Sequence, residues 1–252
     1  MESRIQSYLR VAARYRRDVE QIGPFLATFT HHSDNPYINY AIPDEDAAPT
    51  AAEVAALIEA FELRDLQPRF EYITQLAPAV EPALIAAGFV VESRTPLMIC
   101  TPGEEQPQPT PPGIEFILPT SDNELLGMIA AQNEAYDAPP PEPEAAPRMR
   151  ANLADGQIAV FAREIATGEP VGGGVCTVPY QGLTEIAGIG VRSVFRRRGV
   201  AAALTVRLTQ AAFDAGVTLA FLMAAAEAEE RIYARAGFTT IGDVLHISRP
   251  RR

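Results

Sequence analysis

Residues 101–113 read TPGEEQPQPTPPG, with five prolines in thirteen positions. Proline lacks a backbone N–H and fixes φ, so this stretch fits neither a helix interior nor a central strand. Its composition is that of a stiff, extended linker. It predicts a domain boundary, with one domain over 1–100 and a second over 114–252. A second proline run, DAPPPEPEAAP at 137–147, falls inside the second half and reads as a long loop between two helical segments. A loop of that length inside a compact domain is usually functional or mobile.

After the linker, apolar periodicity spells out an element order. IEFIL (114–118) is a short strand, and SDNELLGMIAAQNEAY has helical spacing with Ser121 and Glu124 placed as a capping box. A short helix over Ala146 to Leu153 follows, then QIAVFARE, PVGGGVCTV and LTEIAGIGV as successive strands with Gly168 and Gly182 in their turns. A helix from about Gly199 to Ala215 repeats apolar residues at Val200, Leu204, Leu208 and Ala212, which predicts one buried face. VTLAFLMA is a fully buried strand, EAEERIYARA a short helix ending at Gly237, and FTTIGDVLHIS the last strand or strand pair. The class is α/β, a mixed sheet with helices on it.

The first hundred residues echo the second part of that order. FLATFT, YINYAIP, PRFEYI and VVESRTPLMIC read as strands, TAAEVAALIEAFELRDL and APAVEPALIAAGF as helices. The helix ends AAGF (86–89) and RAGF (235–238) match in kind, which suggests an internal partial repeat.

Arginine crowds one point of this otherwise acidic chain. The formal net charge is −11, so a broad basic surface for nucleic acid is not expected; such a field favours a cationic or amine-bearing small substrate. Yet FRRRGVAAAL (195–204) sets three arginines before a helix start. Cations there oppose the helix dipole, so an anion is the natural counterpart. Gly199 and the alanines after it let a ligand approach the backbone. The competing reading is a solvated charge run. Cys100 and Cys176 lie far apart in apolar runs and read as buried free thiols, with no metal-ligand spacing nearby. His31, His32 and His246 have no evident partner and read as structural. The N-terminus lacks the apolar run of a signal peptide, and no segment is long and apolar enough to span a membrane. A cytoplasmic location is expected.

The motif Arg196-x-x-Gly199-x-Ala201, preceded by a strand ending at Val191, resembles the Q/R-x-x-G-x-G/A signature of the GNAT superfamily of N-acetyltransferases. The resemblance covers about residues 114–249, and the first domain resembles a partial repeat of that fold. It implies that the backbone of Arg197, Arg198, Gly199, Val200, Ala201 and Ala202 wraps the pyrophosphate of acetyl-coenzyme A. It implies that Ile189, Gly190 and Val191 pair with the pantetheine arm, with Gly188 and Gly190 permitting a bulge. Tyr233, four residues before Gly237-Phe238, is implied as the acid that protonates the leaving thiolate. Glu185, six residues before Val191, is the implied base; it shares a strand face with Val191 unless a bulge intervenes, and it reads equally as a surface glutamate. Many relatives carry asparagine where this chain has Ala226.

The expected activity is acetyl transfer from acetyl-coenzyme A to a small-molecule or peptide amine by direct attack in a ternary complex, with no metal. The alternative is a non-catalytic module that binds or senses an acyl-coenzyme A on the same fold. The first domain lacks the arginine loop, since DEDAAPTAAE stands in its place and repels pyrophosphate. Its expected role is to shape the acceptor cleft or a subunit interface, as in a homodimer.

Overall fold

The computed structural model describes residues 1–30 and 34–250, so His31 and His32 lie outside the described residues. The first half holds α1 (Glu2–Ala12), β1 (Asp18–Ile22), β2 (Phe25–Phe29), β3 (Ala41–Pro43), α2 (Ala51–Glu62), β4 (Arg69–Ile73), α3 (Val80–Ala86) and β5 (Val90–Cys100). The second half holds β6 (Ile114–Ile117), α4 (Asp122–Ala135), α5 (Ala145–Ala154), β7 (Ile158–Glu164), β8 (Pro170–Cys176) and β9 (Leu183–Val191). It continues with α6 (Val200–Asp214), β10 (Leu219–Met223), α7 (Glu227–Arg235) and β11 (Thr239–Ser248). The second half follows the order expected from periodicity. In the first half, α1 and β1 are additions; the first four residues of β1 are exposed, so it leaves no alternating pattern to read.

The chain forms two compact units, one of Met1–Leu97 with Ile241–Arg252 and one of Met98–Thr240. This division differs from the one the prolines suggest. The chain passes from one unit to the other inside β5, and β11 pairs antiparallel with β4 from Val244↔Ile73 to Ser248↔Arg69. The proline segment is not a free linker either. Gln106 N–H donates to Ala236 O at 3.0 Å, and Gln108 Nε2 donates to Arg235 O at 2.7 Å, so it straps the end of α7.

In the first unit the strands run β1-β2-β3-β4-β11-β5. Phe25, Phe70 and Phe89 meet edge to face, with centroids 5.0 and 5.8 Å apart. Arg69, 1% exposed, lies among charged partners. It donates to Glu71 at 3.1 Å, to Glu92 at 3.0 Å and to His246 Nδ1 at 2.9 Å. His246 Nε2 then meets the Thr95 hydroxyl at 3.0 Å, which gives His246 a structural role. α2 begins with a full capping box: Glu53 N–H donates to Thr50 Oγ1 at 3.3 Å, and Thr50 N–H to Glu53 Oε2 at 2.8 Å.

In the second unit the strands run β5-β10-β9-β8-β7-β6, mixed in direction: β9 and β10 are parallel, β7, β8 and β9 antiparallel. Alternation along β7 sends Ala159 and Phe161 to Met128 of α4, and Val160 to Leu204 and Leu208 of α6. The expected stripe on α6 is buried, and so are Ala203, Thr205, Val206 and Thr209, a wider surface than one face. Both threonine hydroxyls are satisfied by donating one turn back, to Ala201 O and Thr205 O, each at 2.9 Å. The expected capping box of α4 forms at Ser121 and Glu124, whose carboxyl is pulled down to about 2 by the backbone N–H groups of Thr120 and Ser121.

Burial raises the Glu71 carboxyl pKa, but His246 and Arg69 outweigh it and hold the group below its ordinary value. A depressed carboxylate stabilises above its unfolded pKa, and that stability is lost as pH falls through the folded value. Urea midpoints are therefore expected to drop on acidification in the wild type and to drop less in Glu71→Gln. Arg69→Met, which leaves Glu71 buried without its guanidinium, is expected to cost about 3–5 kcal/mol at neutral pH.

Candidate active site

β9 delivers the chain to the arginine loop. Ser193–Phe195 forms a single 3-10 turn, and Phe195 buries itself against Val191 and Val200. Arg197 then takes a left-handed backbone at φ 62°, and Gly199 at φ 84° serves as the N-cap of α6 without any side-chain cap. A left-handed arginine costs about 1–3 kcal/mol and marks a constrained loop. A Cβ on Gly199 meets nothing within 4 Å, so the backbone angle, not crowding, calls for glycine there. The first bond of α6 runs from Ala203 N–H to Gly199 O at 3.1 Å. The N–H groups of Val200, Ala201 and Ala202 have no backbone acceptor among the described residues. α6 thus opens on bare donors, whereas α2 closes its own.

The three arginines do different things. Arg196 Nε donates to Val191 O at 2.9 Å and its NH2 to Ala135 O at 3.0 Å, tying the end of β9 to the end of α4. Its cation also sits against the C-terminal carbonyls of α4, where the helix dipole favours it. Arg198 stacks over Phe195, 5.2 Å from the ring centroid. Arg197 lines the cleft described below.

Before the loop, β9 carries a bulge. On β8, Gly173 faces Gly190 and Val175 faces Ala187, so two steps of β8 match three of β9. The extra residue is accommodated at Gly188, with φ 62°. Side-chain phase reverses across it. Ala187 packs with Met128, Ile186 and Ile189 join the same α6 cluster, and Val191 packs with Val200. Glu185, in phase with Ala187, therefore falls on the face opposite Val191 and does not line the cleft. Pairing with β10 covers only Leu219↔Leu183, Ala220↔Thr184 and Phe221↔Glu185. Beyond Glu185 that edge of β9 has no strand partner among the described residues.

Two side chains one turn apart on α4 grip the bulge. Gln132 Nε2 donates to Gly188 O at 2.6 Å, and Tyr136 Oη donates to Ile189 O at 3.1 Å. α4 passes so close that a Cβ on Gly190 stands 2.9 Å from Gln132 Cα.

These parts wall one cleft of about 970 Å³. Its lining comprises the end of β9, Phe195 to Arg197, Gly199 to Ala202, Tyr136, Gln108, and the face of α7 carrying Glu229 and Tyr233. Of the residues expected from sequence, Glu185 and Arg198 lie outside it. Tyr233 is 8% exposed; burial first, then Glu229 and Tyr136, push its phenol well above the ordinary tyrosine range. Burial, then Glu229, raises Tyr136 in the same direction. Both phenols stay protonated at neutral pH. Ala226 caps α7 with no side-chain bond; Glu229 Oε2 instead accepts from Ala225 N–H at 2.9 Å.

Gln132, Tyr136 and Glu229 escape a reading by motif. The signals for them are the four-residue spacings Gln132–Tyr136 and Glu229–Tyr233, which place each pair on one helix face. Cys100 and Cys176 are buried, and burial pushes both thiols up to about 12, with Glu105 and Glu104 adding to the shift at Cys100. Neither is a ready nucleophile. Among the described residues no group of three His, Cys, Asp or Glu is placed to hold a metal ion. Among the same residues no helix is long and apolar enough to cross a membrane.

Residues 125–238 match the family model for the acetyltransferase (GNAT) family. No curated protein matches the sequence. Among solved structures, a GCN5-related N-acetyltransferase from Kribbella flavida is similar over 100% of this chain and 96% of its own, at 27% identity and a TM-score of 0.83. One from Sphaerobacter thermophilus matches over 91% and 78%, at 21% identity and a TM-score of 0.67. A tandem GNAT protein from the clavulanic acid biosynthesis pathway matches over 90% and 79%, at 13% identity and a TM-score of 0.62. The last two speak to the fold alone.

Arg196 and Arg198 are expected to separate in a stability measurement. Arg196→Ala loses two bonds to backbone carbonyls and is expected to cost about 1 kcal/mol, read as a lowered urea midpoint. Arg198→Ala is expected to leave the midpoint in place.

Proposed function

We propose, on the match of residues 125–238 to the acetyltransferase (GNAT) family, that the chain transfers an acetyl group from acetyl-coenzyme A to an amine. The observation that carries this reading is the uncapped start of α6 opening into the same cleft as the unpaired edge of β9 and the buried Tyr233.

Each part answers a demand of the reaction. Pyrophosphate needs donors and a positive field, and the bare N–H groups of Val200, Ala201 and Ala202 supply both, with Arg197 beside them. The left-handed Gly199 brings that backbone within reach with no side chain in the way. The pantetheine arm carries two amides, and the edge from Ile189 to Val191, which has no strand partner among the described residues, offers backbone groups for them beside the two carbonyls that Tyr136 and Arg196 bond. An amide at the bulge polarises the thioester carbonyl and steadies the oxyanion formed on attack. Tyr233 keeps its proton in the neutral range and gives it to the departing thiolate. The amine attacks directly in a ternary complex, consistent with two inert cysteines. Asp137, Glu142 and Glu144 on the proline loop favour a cationic acceptor. Asn133 Nδ2 steadies that loop by donating to Pro139 O at 2.6 Å.

Isothermal titration with acetyl-coenzyme A and a thiol-release assay over an amine panel test the reading. Gly199→Asp adds a charge and a Cβ at a left-handed position, and is expected to abolish coenzyme binding. Arg198→Ala, altering a residue stacked on Phe195, is expected to weaken binding only a few-fold, on the order of one lost exposed charge. Tyr233→Phe is expected to keep coenzyme affinity and lower kcat by roughly 10²–10⁴-fold. Saturable coenzyme binding with no turnover on any amine would instead favour the non-catalytic binding module.

A further inference from the structure

A transferase of this kind needs a group to take the proton from the attacking nitrogen, and β9 does not present one to the cleft. Among the residues lining the cleft, the sole carboxylate is Glu229. It stands one helical turn before Tyr233 on α7, so the two share a face. Glu229, Tyr233 and Tyr136 line the same cleft, and the Glu229 charge adds to the upward shift of both phenols. Tyr136 in turn is bonded to Ile189 O on the bulged end of β9. Glu229 Oε2 is held by Ala225 N–H at 2.9 Å, which fixes the carboxylate, and Oε1 has no protein donor among the described residues. The other charged or titratable groups lining the cleft are Arg231 and Arg235 on α7, Arg196 and Arg197 on the loop, Tyr136 on α4, and Tyr233.

We propose that Glu229 is the general base of the transfer, taking protons from the acceptor nitrogen at the mouth of the β9 bulge. The proposal rests on the acyl-transfer reading above. The acceptor arrives as an ammonium ion and loses one proton through Glu229 to solvent. The nitrogen lone pair attacks the thioester carbonyl carbon, the C–N bond forms, and the carbonyl π pair moves to oxygen. Glu229 takes the second proton from that nitrogen. Collapse breaks the C–S bond, and the pair leaves on sulfur, which takes the Tyr233 proton. Glu229, one turn away, returns its proton to the Tyr233 oxygen. One proton is released per turnover, and no oxidant or reductant is consumed.

α7 has no side-chain cap at Ala226; Glu229 in its first turn instead accepts from the N–H of Ala225, the residue before Ala226, and that bond holds the carboxylate at the cleft.

Glu229→Gln tests this, because its amide oxygen still accepts from Ala225 N–H. Coenzyme affinity by calorimetry is expected to stay within about twofold of wild type, while kcat falls by roughly 10²–10³-fold. An arylamine or hydrazine acceptor, already neutral at the assay pH, is expected to recover part of the lost rate, which a merely structural role would not produce. A Glu229→Gln protein that keeps wild-type turnover, or a loss of turnover confined to Glu185→Gln, overturns the proposal. Absence of turnover by the wild type across the amine panel overturns it together with the transferase reading, and so separates the two failures.

Discussion

One guanidinium sets the geometry on which the cleft depends. Arg196 bonds Val191 O at the end of β9 and Ala135 O at the end of α4, and its backbone begins the turn into α6. Three elements are thereby fixed at one point. Without that point, the left-handed Arg197 and Gly199 have nothing to hold them, and the strain of a positive φ relaxes into other loop shapes. Arg196 thus acts through its hydrogen bonds to carbonyls, as a brace behind the loop whose amides are left bare.

The two units follow the same local path, strand, helix, parallel strand, helix, yet differ at the helix start. α2 spends Thr50 and Glu53 on its own first turn, while α6 leaves its donors bare behind a glycine. The difference is only a few side chains, but it decides which helix start is open to an anion. The acidic stretch after β3 agrees with it: Asp44 is taken up by an ion pair with Arg10 at 2.7 Å.

How much could be read beforehand follows from the range of each interaction. The capping box at Ser121 and the run of α6 rest on contacts within a turn or two, and are legible in the sequence; Tyr233 stands out only through the resemblance to a family motif. Gly188 and Gly190 permit a bulge, and a bulge reverses the phase of Glu185, but its place is fixed only where the register with β8 shifts, between Gly173 and Val175. Tyr136 and Gln132 carry no motif, and their role appears only once α4 lies across β9. The proline segment binds the end of α7 through the residues between its prolines: Gln106 keeps its backbone N–H and Gln108 its side-chain amide. The membership of β11 in the first unit rests on pairings far apart in sequence, which no local pattern encodes.

That last feature bears on how the chain is made. Gln67 Nε2 donates to Ser248 Oγ at 2.9 Å across 181 residues of sequence. At ribosomal rates of about 5–20 residues per second, β4 waits on the order of ten to thirty seconds for its neighbour β11. During synthesis its free edge is open to pairing with other chains. The first unit to begin is therefore among the last to finish, and domain-by-domain folding from the N-terminus is closed to this topology. Slow completion, and a nascent intermediate with an exposed strand edge, are built into the order in which its residues emerge.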